Sequence, residues 1–228
     1  MNRIFAAACL VVLGLTAAAA QQTAAPAPQA QGQQGLTEAM TKSAAVEVPR
    51  LVELLQLKPG MTVADVGAGF GAWTVAFGKW IGPNGRVYAT DIGEKQLAFL
   101  RQSTKEAGLT NVVVLAGAER ATNLPAGCCD AILIRDAYHH LTQPTDILRS
   151  MAAALKPGGR LAVIDFPPRP NSEVPAGVPA NRRGHGVPPE VVTSEVTAAG
   201  FTVVSTEPKW SANSQPNDLF LVVFRKTN

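Results

Sequence analysis

A chain of 228 residues with a formal charge of +3 and only 16% charged residues suits one sizeable α/β core rather than two. Its near-balanced charge and lack of a Lys/Arg run exclude the electrostatic footprint of a nucleic-acid binder. Of three cysteines, only Cys128 and Cys129 fall in the expected domain. Adjacent cysteines do not readily reach disulfide geometry, so they are expected to pack as small buried side chains rather than to act as a metal or redox pair.

Residues 1–20 read as an export signal. Arg3 supplies the positive start, Ile4 to Leu15 the apolar run, and Ala18-Ala19-Ala20 the small-residue cleavage site. The run is too short and Ala-rich for a comfortable membrane span, so the expectation is cleavage after Ala20, a periplasmic or secreted location, and no stable membrane span afterwards. Residues 21–35, built of Gln, Ala, Pro and Gly, have nothing with which to form a core and are expected to be a disordered tether. The domain is then 36–228.

From Thr37 to Leu57 the apolar positions fall near a helical repeat, with Pro49 expected to divide the stretch into two helical pieces forming a lid or flank. Thr62 to Val66 reads as a buried strand. It runs into Gly67-Ala68-Gly69-Phe70-Gly71, where missing side chains let the chain turn sharply and let backbone N–H groups approach a nucleotide-like ligand. A helix over 72–81 should follow. The spacing Gly67, Gly69, Ala72 also satisfies a loose dinucleotide fingerprint. Against that reading, Asp65 would repel a pyrophosphate yet suits a ligand carrying an ammonium or sulfonium cation.

Arg86 to Thr90 forms the second expected strand, with Asp91 at its carboxyl end. That is where nucleotide-binding α/β proteins place an acid on the ribose hydroxyls; capping the helix over 94–107 is the alternative role. A third strand over 112–115 leads to Gly117-Ala118-Glu119. A fourth, Asp130 to Ile134, ends in Arg135-Asp136-Ala137-Tyr138-His139-His140-Leu141. Asp136 at this tip is expected to face the site. Two adjacent histidines should point in different directions, so at most one is expected to face it. A lone His pair lacks the ligand count of a zinc site, so no metal is expected. A helix over 144–155 is expected to stop at Lys156-Pro157-Gly158-Gly159, before a fifth strand over 160–165. The Pro-rich stretch 167–186 is too long for mere connection and reads as a substrate-side loop. A helix over 188–199 and strands over 201–206 and 219–225 complete the pattern.

Asp65-Val66-Gly67-Ala68-Gly69-Phe70-Gly71 resembles motif I of the Rossmann-like (class I) S-adenosylmethionine-dependent methyltransferases. Asp130 to Leu141 resembles motif IV of the small-molecule members, and Leu155-Lys156-Pro157-Gly158-Gly159 their next signature. The resemblance covers 37–228. It implies a doubly wound α/β fold, a seven-stranded mostly parallel sheet with helices on both faces and the last strand antiparallel. It also implies methyl transfer from S-adenosyl-L-methionine to a small-molecule acceptor. Asp65, Gly67, Ala68, Gly69 and Gly71 would hold the methionine end, Asp91 and Ile92 the ribose side, and Ala118 and Glu119 the adenine, with Arg135 also at the donor. Glu119 departs from the family's frequent Gly-Asp-Ala-Glu pattern and serves equally well as an exposed loop carboxylate. Asp136, His139 or His140 would contact the acceptor, one of the histidines acting as a base or the pair only capping the turn. Two alternatives stand beside this: an NAD-dependent oxidoreductase, which lacks a Tyr-x-x-x-Lys constellation here, and an exported S-adenosylmethionine- or nucleotide-binding protein without turnover.

Overall fold

The computed structural model describes residues 35–210 and 218–227. The expected export signal and, apart from Gly35, the expected tether lie outside the described residues.

The first helix, α1 (Glu38–Leu54), is capped by the Thr37 hydroxyl, which accepts from the Met40 amide at 3.2 Å. It is one helix, not two, with Pro49 inside it. A proline in a helix interior costs about 3 kcal/mol. Here Ala44 and Val48 before it and Leu51 and Val52 after it are all buried, and burying each large aliphatic side chain returns about 1.5–3 kcal/mol. That burial keeps the two halves in line.

Seven strands follow: β1 (Thr62–Val66), β2 (Arg86–Asp91), β3 (Val112–Ala116), β4 (Cys129–Arg135), β5 (Leu155–Asp165), β6 (Phe201–Glu207) and β7 (Phe220–Lys226). Their spatial order is β3-β2-β1-β4-β5-β7-β6. The first five are parallel, and β7 runs antiparallel to both β5 and β6, as expected. The alternating faces of the central strands are both apolar, as a sheet covered on both sides requires. Val63, Leu133 and Ile164 join α1 and Phe77 of α2 (Ala72–Ile81). Ala64, Ile134 and Val163 join Leu148 of α4 (Pro144–Ala154) and Val192 of α5 (Pro189–Ala198). The remaining helix, α3 (Glu94–Glu106), lays Leu97 and Leu100 on Ala89 of β2.

Two local expectations change. β5 begins at Leu155 rather than Arg160, because Leu155 already pairs with Cys129, with an irregularity before regular pairing resumes at Ala131 and Arg160. Lys156 is held there by Asp130, whose carboxylate accepts from its ammonium at 2.8 Å and from the Thr62 amide at 2.9 Å; Asp130 thus fastens strand beginnings. The sulfurs of Cys128 and Cys129 are bonded to each other, with Cα atoms 3.7 Å apart. The bond corrects the expectation of two free packed thiols.

Between β1 and β4 the winding reverses, since β2 and β3 are added on one side of β1 and β4 and β5 on the other. Open α/β sheets bind ligands in the crevice beyond the strand carboxyl ends at that point.

Candidate active site

The glycine loop leaves β1 in a backbone conformation that side chains resist. Gly67, Gly69 and Gly71 have φ of 70°, 54° and 89°, the left-handed region that favours glycine. A Cβ on Gly67 would stand 2.6 Å from the Ala137 Cβ, so its absence lets the loop abut the tip of β4. A Cβ on Gly69 would meet nothing within 4 Å; that backbone faces open space. The loop is tied to β2 by Gly67 and Ala68 amides donating to the Thr90 carbonyl at 2.8 and 3.0 Å. Asp91 completes the tie: one carboxylate oxygen accepts from the Gly69 amide at 2.9 Å, the other from the Gly93 amide at 3.1 Å. It does not cap α3, whose N-cap is Gly93.

Two adjoining cavities share Gly67, Gly69, Phe70 and Asp136. The larger, about 920 Å³, lies between the glycine loop and α1, with Asp65, Trp73 and Arg135 on its wall. The smaller, about 410 Å³, takes in Asp91, Ile92, Gly117, Ala118, Glu119 and His140. Ile92 is 66% exposed there, unusual for so large an apolar side chain, and Ala118 and Glu119 are exposed beside it.

Asp65 is buried at the inner end of the larger cavity, accepting a hydrogen bond from the Thr74 hydroxyl at 2.6 Å. Burial pushes its carboxyl up to about 6, and the Thr74 hydrogen bond offsets only part of that rise. A buried acid with a raised pKa at a cavity wall is a candidate functional position.

Arg135 is not free to meet a ligand with its full guanidinium. Its Nε and one terminal nitrogen donate to the two Glu47 oxygens at 2.9 and 3.0 Å, and it stacks on Trp73 with 3.8 Å to the ring centroid. Trp73 Nε1 also donates to Glu47 at 3.0 Å. This cluster straps α1 over the pocket. Sequence reasoning passed over Glu47, although a Glu three residues after buried Ala44 and four before buried Leu51 stands on the apolar stripe of α1.

At the β4 tip, Asp136 lines both cavities with φ of 53°, a strained conformation for a residue with a side chain. Burial, then the neighbouring Asp165, raises its carboxyl above the usual range. The turn Tyr138–His140 follows. Tyr138 points away, buried and donating to Glu195 at 2.8 Å. His140 lines the smaller cavity, and burial and its neighbouring imidazoles lower its pKa. His139 is 2% exposed and lies behind the wall, its Nδ1 2.8 Å from Asp165. The two rings nevertheless stay together, centroids 4.0 Å apart. His185 from the 167–186 loop joins them, so the pair is not alone as the sequence suggested.

Residues 63–159 match the family described as a methyltransferase domain. The chain is 33% identical over 114 residues to a demethylmenaquinone methyltransferase of Listeria welshimeri, covering 50% of this chain and 48% of that one. Over 110 residues it is 34% identical to a ubiquinone/menaquinone biosynthesis C-methyltransferase of Bordetella parapertussis, covering 48% and 42%. It thus spans about half the length of these relatives. The crystal structure of an S-adenosylmethionine-dependent methyltransferase from Aquifex aeolicus superposes with a TM-score of 0.63, at 27% identity, over 78% of this chain and 88% of that one. The fold is that of the Rossmann-like methyltransferases. In it the matched segment runs from β1 through the beginning of β5, the part that carries the glycine loop, Asp91 and the β4 tip.

Proposed function

We propose that this protein transfers a methyl group from S-adenosylmethionine to a small-molecule acceptor. The observation that carries the reading is the pair of cavities joined at the glycine loop. One is walled by a buried carboxylate, the other by Asp91 and an exposed apolar side chain. The donor, when bound, supplies an already activated sulfonium methyl.

The residues fit an elongated ligand with a cationic amino-acid end and a nucleoside end. Asp65 supplies negative charge for the cationic end, and the open backbone at Gly69 admits close approach. Asp91, already oriented by two amides, keeps lone pairs for ribose hydroxyls. Ile92 and Ala118 offer apolar surface to a purine, and Glu119 an acceptor for its amino group. Arg135, with Glu47 and Trp73, fixes the helix that closes the larger cavity. The acceptor then meets the donor at the β4 tip, where Asp136 and His140 stand. Catalysis asks these residues chiefly to align the reacting atoms and exclude water. The likeness to a demethylmenaquinone methyltransferase and a ubiquinone/menaquinone biosynthesis C-methyltransferase supports an acceptor of small-molecule class.

Asp91→Ala removes the ribose acceptor and loosens the glycine loop. It is expected to weaken S-adenosylhomocysteine by about 2 to 3 kcal/mol, roughly fiftyfold, with the protein still folded and its unfolding midpoint lowered by the two lost loop hydrogen bonds. Unaltered affinity would reduce Asp91 to a loop tie. The activity itself is tested by incubating the protein with radiolabelled donor and a small-molecule cell extract. Label is expected in an extract compound with wild type and, at donor concentrations below saturation, much less with Asp91→Ala, whereas binding without any transferred label would leave a ligand-binding protein. We further propose, from residues 1–20, that the protein acts outside the cytoplasm; a reporter fused after Gly35 should be translocated, and a cytoplasmic, uncleaved fusion would overturn this.

A further inference from the structure

We propose that His139, His140 and His185 form a binding site for a divalent transition-metal ion, with zinc as the reference ion. One ring nitrogen from each of the three lies within 4.8 Å of the others, and the ring centroids are 4.0, 5.0 and 5.6 Å apart. Zinc–nitrogen bonds of 2.0–2.1 Å in a tetrahedral site place the nitrogens about 3.3 Å apart. His139 is fixed, but His140 is exposed and His185 half-buried, so rotation of those two rings supplies the closure.

The strongest support is behind the cluster. Asp165 is fully buried at the end of β5 and accepts three hydrogen bonds: from the His139 amide at 3.1 Å, from the Phe166 amide at 2.8 Å, and from His139 Nδ1 at 2.8 Å. With both backbone contacts donating to the carboxylate, the tautomer that completes the set is the one with the proton on Nδ1. The lone pair of His139 is then left on Nε2. A carboxylate holding one imidazole nitrogen so that the other can ligate is the usual arrangement behind a metal-binding histidine.

His185 is brought to the pair by a built scaffold, not by a chance loop contact. Its amide donates to Ser172 Oγ at 2.8 Å, and its carbonyl accepts from the Arg169 amide at 3.0 Å. At Gly186, φ is 125° and a Cβ would stand 2.6 Å from the Pro167 carbonyl oxygen, so the loop closes on itself there. Deeper in the loop, Arg182 is fully buried and makes paired hydrogen bonds to Glu195 of α5 at 2.8 and 3.0 Å. The Phe166 ring, 4.6 Å from His139 and 5.4 Å from His185, walls one side. Three imidazole ligands suit zinc, copper, nickel or iron rather than magnesium or calcium. Since His140 also lines the smaller cavity, an ion held here would stand at the cavity edge. The proposal rests on these contacts and not on methyl transfer.

The test is titration of the untagged, chelator-stripped full chain with zinc alone, without reductant, followed by competition with a chromogenic chelator. One equivalent is expected to bind. His185→Ala, a partly exposed position, should weaken binding by more than a hundredfold while leaving the unfolding midpoint and the S-adenosylhomocysteine affinity at wild-type values. Asp165→Asn should weaken it by about 10- to 100-fold. Cobalt in place of zinc should give tetrahedral visible absorption that His185→Ala abolishes. No zinc binding by wild type, or equal affinity in His185→Ala, would overturn the site. Because S-adenosylhomocysteine is titrated on the same samples, loss of the metal site and failure of the donor pocket are read separately.

Discussion

Glu47→Ala is expected to destabilise the protein by about 3 to 5 kcal/mol, the penalty for leaving a buried charge without its partner. For a domain of this size that lowers Tm by roughly 10 °C. Arg135 would keep its place under Trp73 but lose both hydrogen bonds to Glu47, and at 7% side-chain exposure it has little water to turn to. Trp73 Nε1 would lose its acceptor as well. The double variant Glu47→Ala/Arg135→Met removes both charges and should recover most of the loss, since apolar replacement of a buried pair is often neutral or better. Urea unfolding of the two variants checks this. A single variant within about 1 kcal/mol of wild type would show that the cluster does not hold α1 to the sheet.

Asp65→Asn is expected to act in the opposite direction. Burial moves the Asp65 carboxyl from 3.8 to about 6 in the folded protein. A raised carboxyl pKa means that the folded state holds the proton more tightly than the unfolded one. Its contribution is therefore fully present below pH 3.8 and is lost as pH rises through about 6. The gap corresponds to about 3 kcal/mol at pH 7. Asparagine still accepts from Thr74 but carries no charge, so the variant should gain stability over wild type between pH 4 and 6 and keep the advantage at pH 7. It should also bind S-adenosylhomocysteine more weakly, because the cationic end loses its counter-charge. Unfolding series at pH 4, 5, 6 and 7 decide the point: a difference that is flat with pH, or a variant less stable at pH 7, would refute it. A gain in stability coupled to a loss of binding is what a charge kept for function produces.

The parallel core of the fold was legible because its signals are local and regular. Apolar strands ended by glycine or acid, helices bounded by Pro and Gly, and a glycine loop after the first strand fix the order of elements. Their bounds differ from the structure by a residue or two except at α1 and β5. Most of what failed depends on partners distant in sequence. Pro49 does not break α1 because buried side chains on either side hold the helix to the sheet. Asp91 and the glycine loop could be related by spacing, but that Asp91 bonds the Gly69 amide appears only when β2 lies beside β1. The His pair looked isolated because its third member stands 45 residues beyond His140, at the end of a loop with no periodicity. The bond between Cys128 and Cys129 ran against the usual spacing of disulfide partners, which a reading from sequence alone applies to adjacent cysteines.

The central claim is that the glycine-loop pocket takes an S-adenosyl donor, and side-by-side calorimetric titration with S-adenosylhomocysteine and NAD tests it most directly. One-to-one, saturable binding of S-adenosylhomocysteine and none of NAD is the result expected from an acidic pocket that repels a pyrophosphate. Saturable binding of NAD with no response to S-adenosylhomocysteine would contradict it and move the protein to the oxidoreductases.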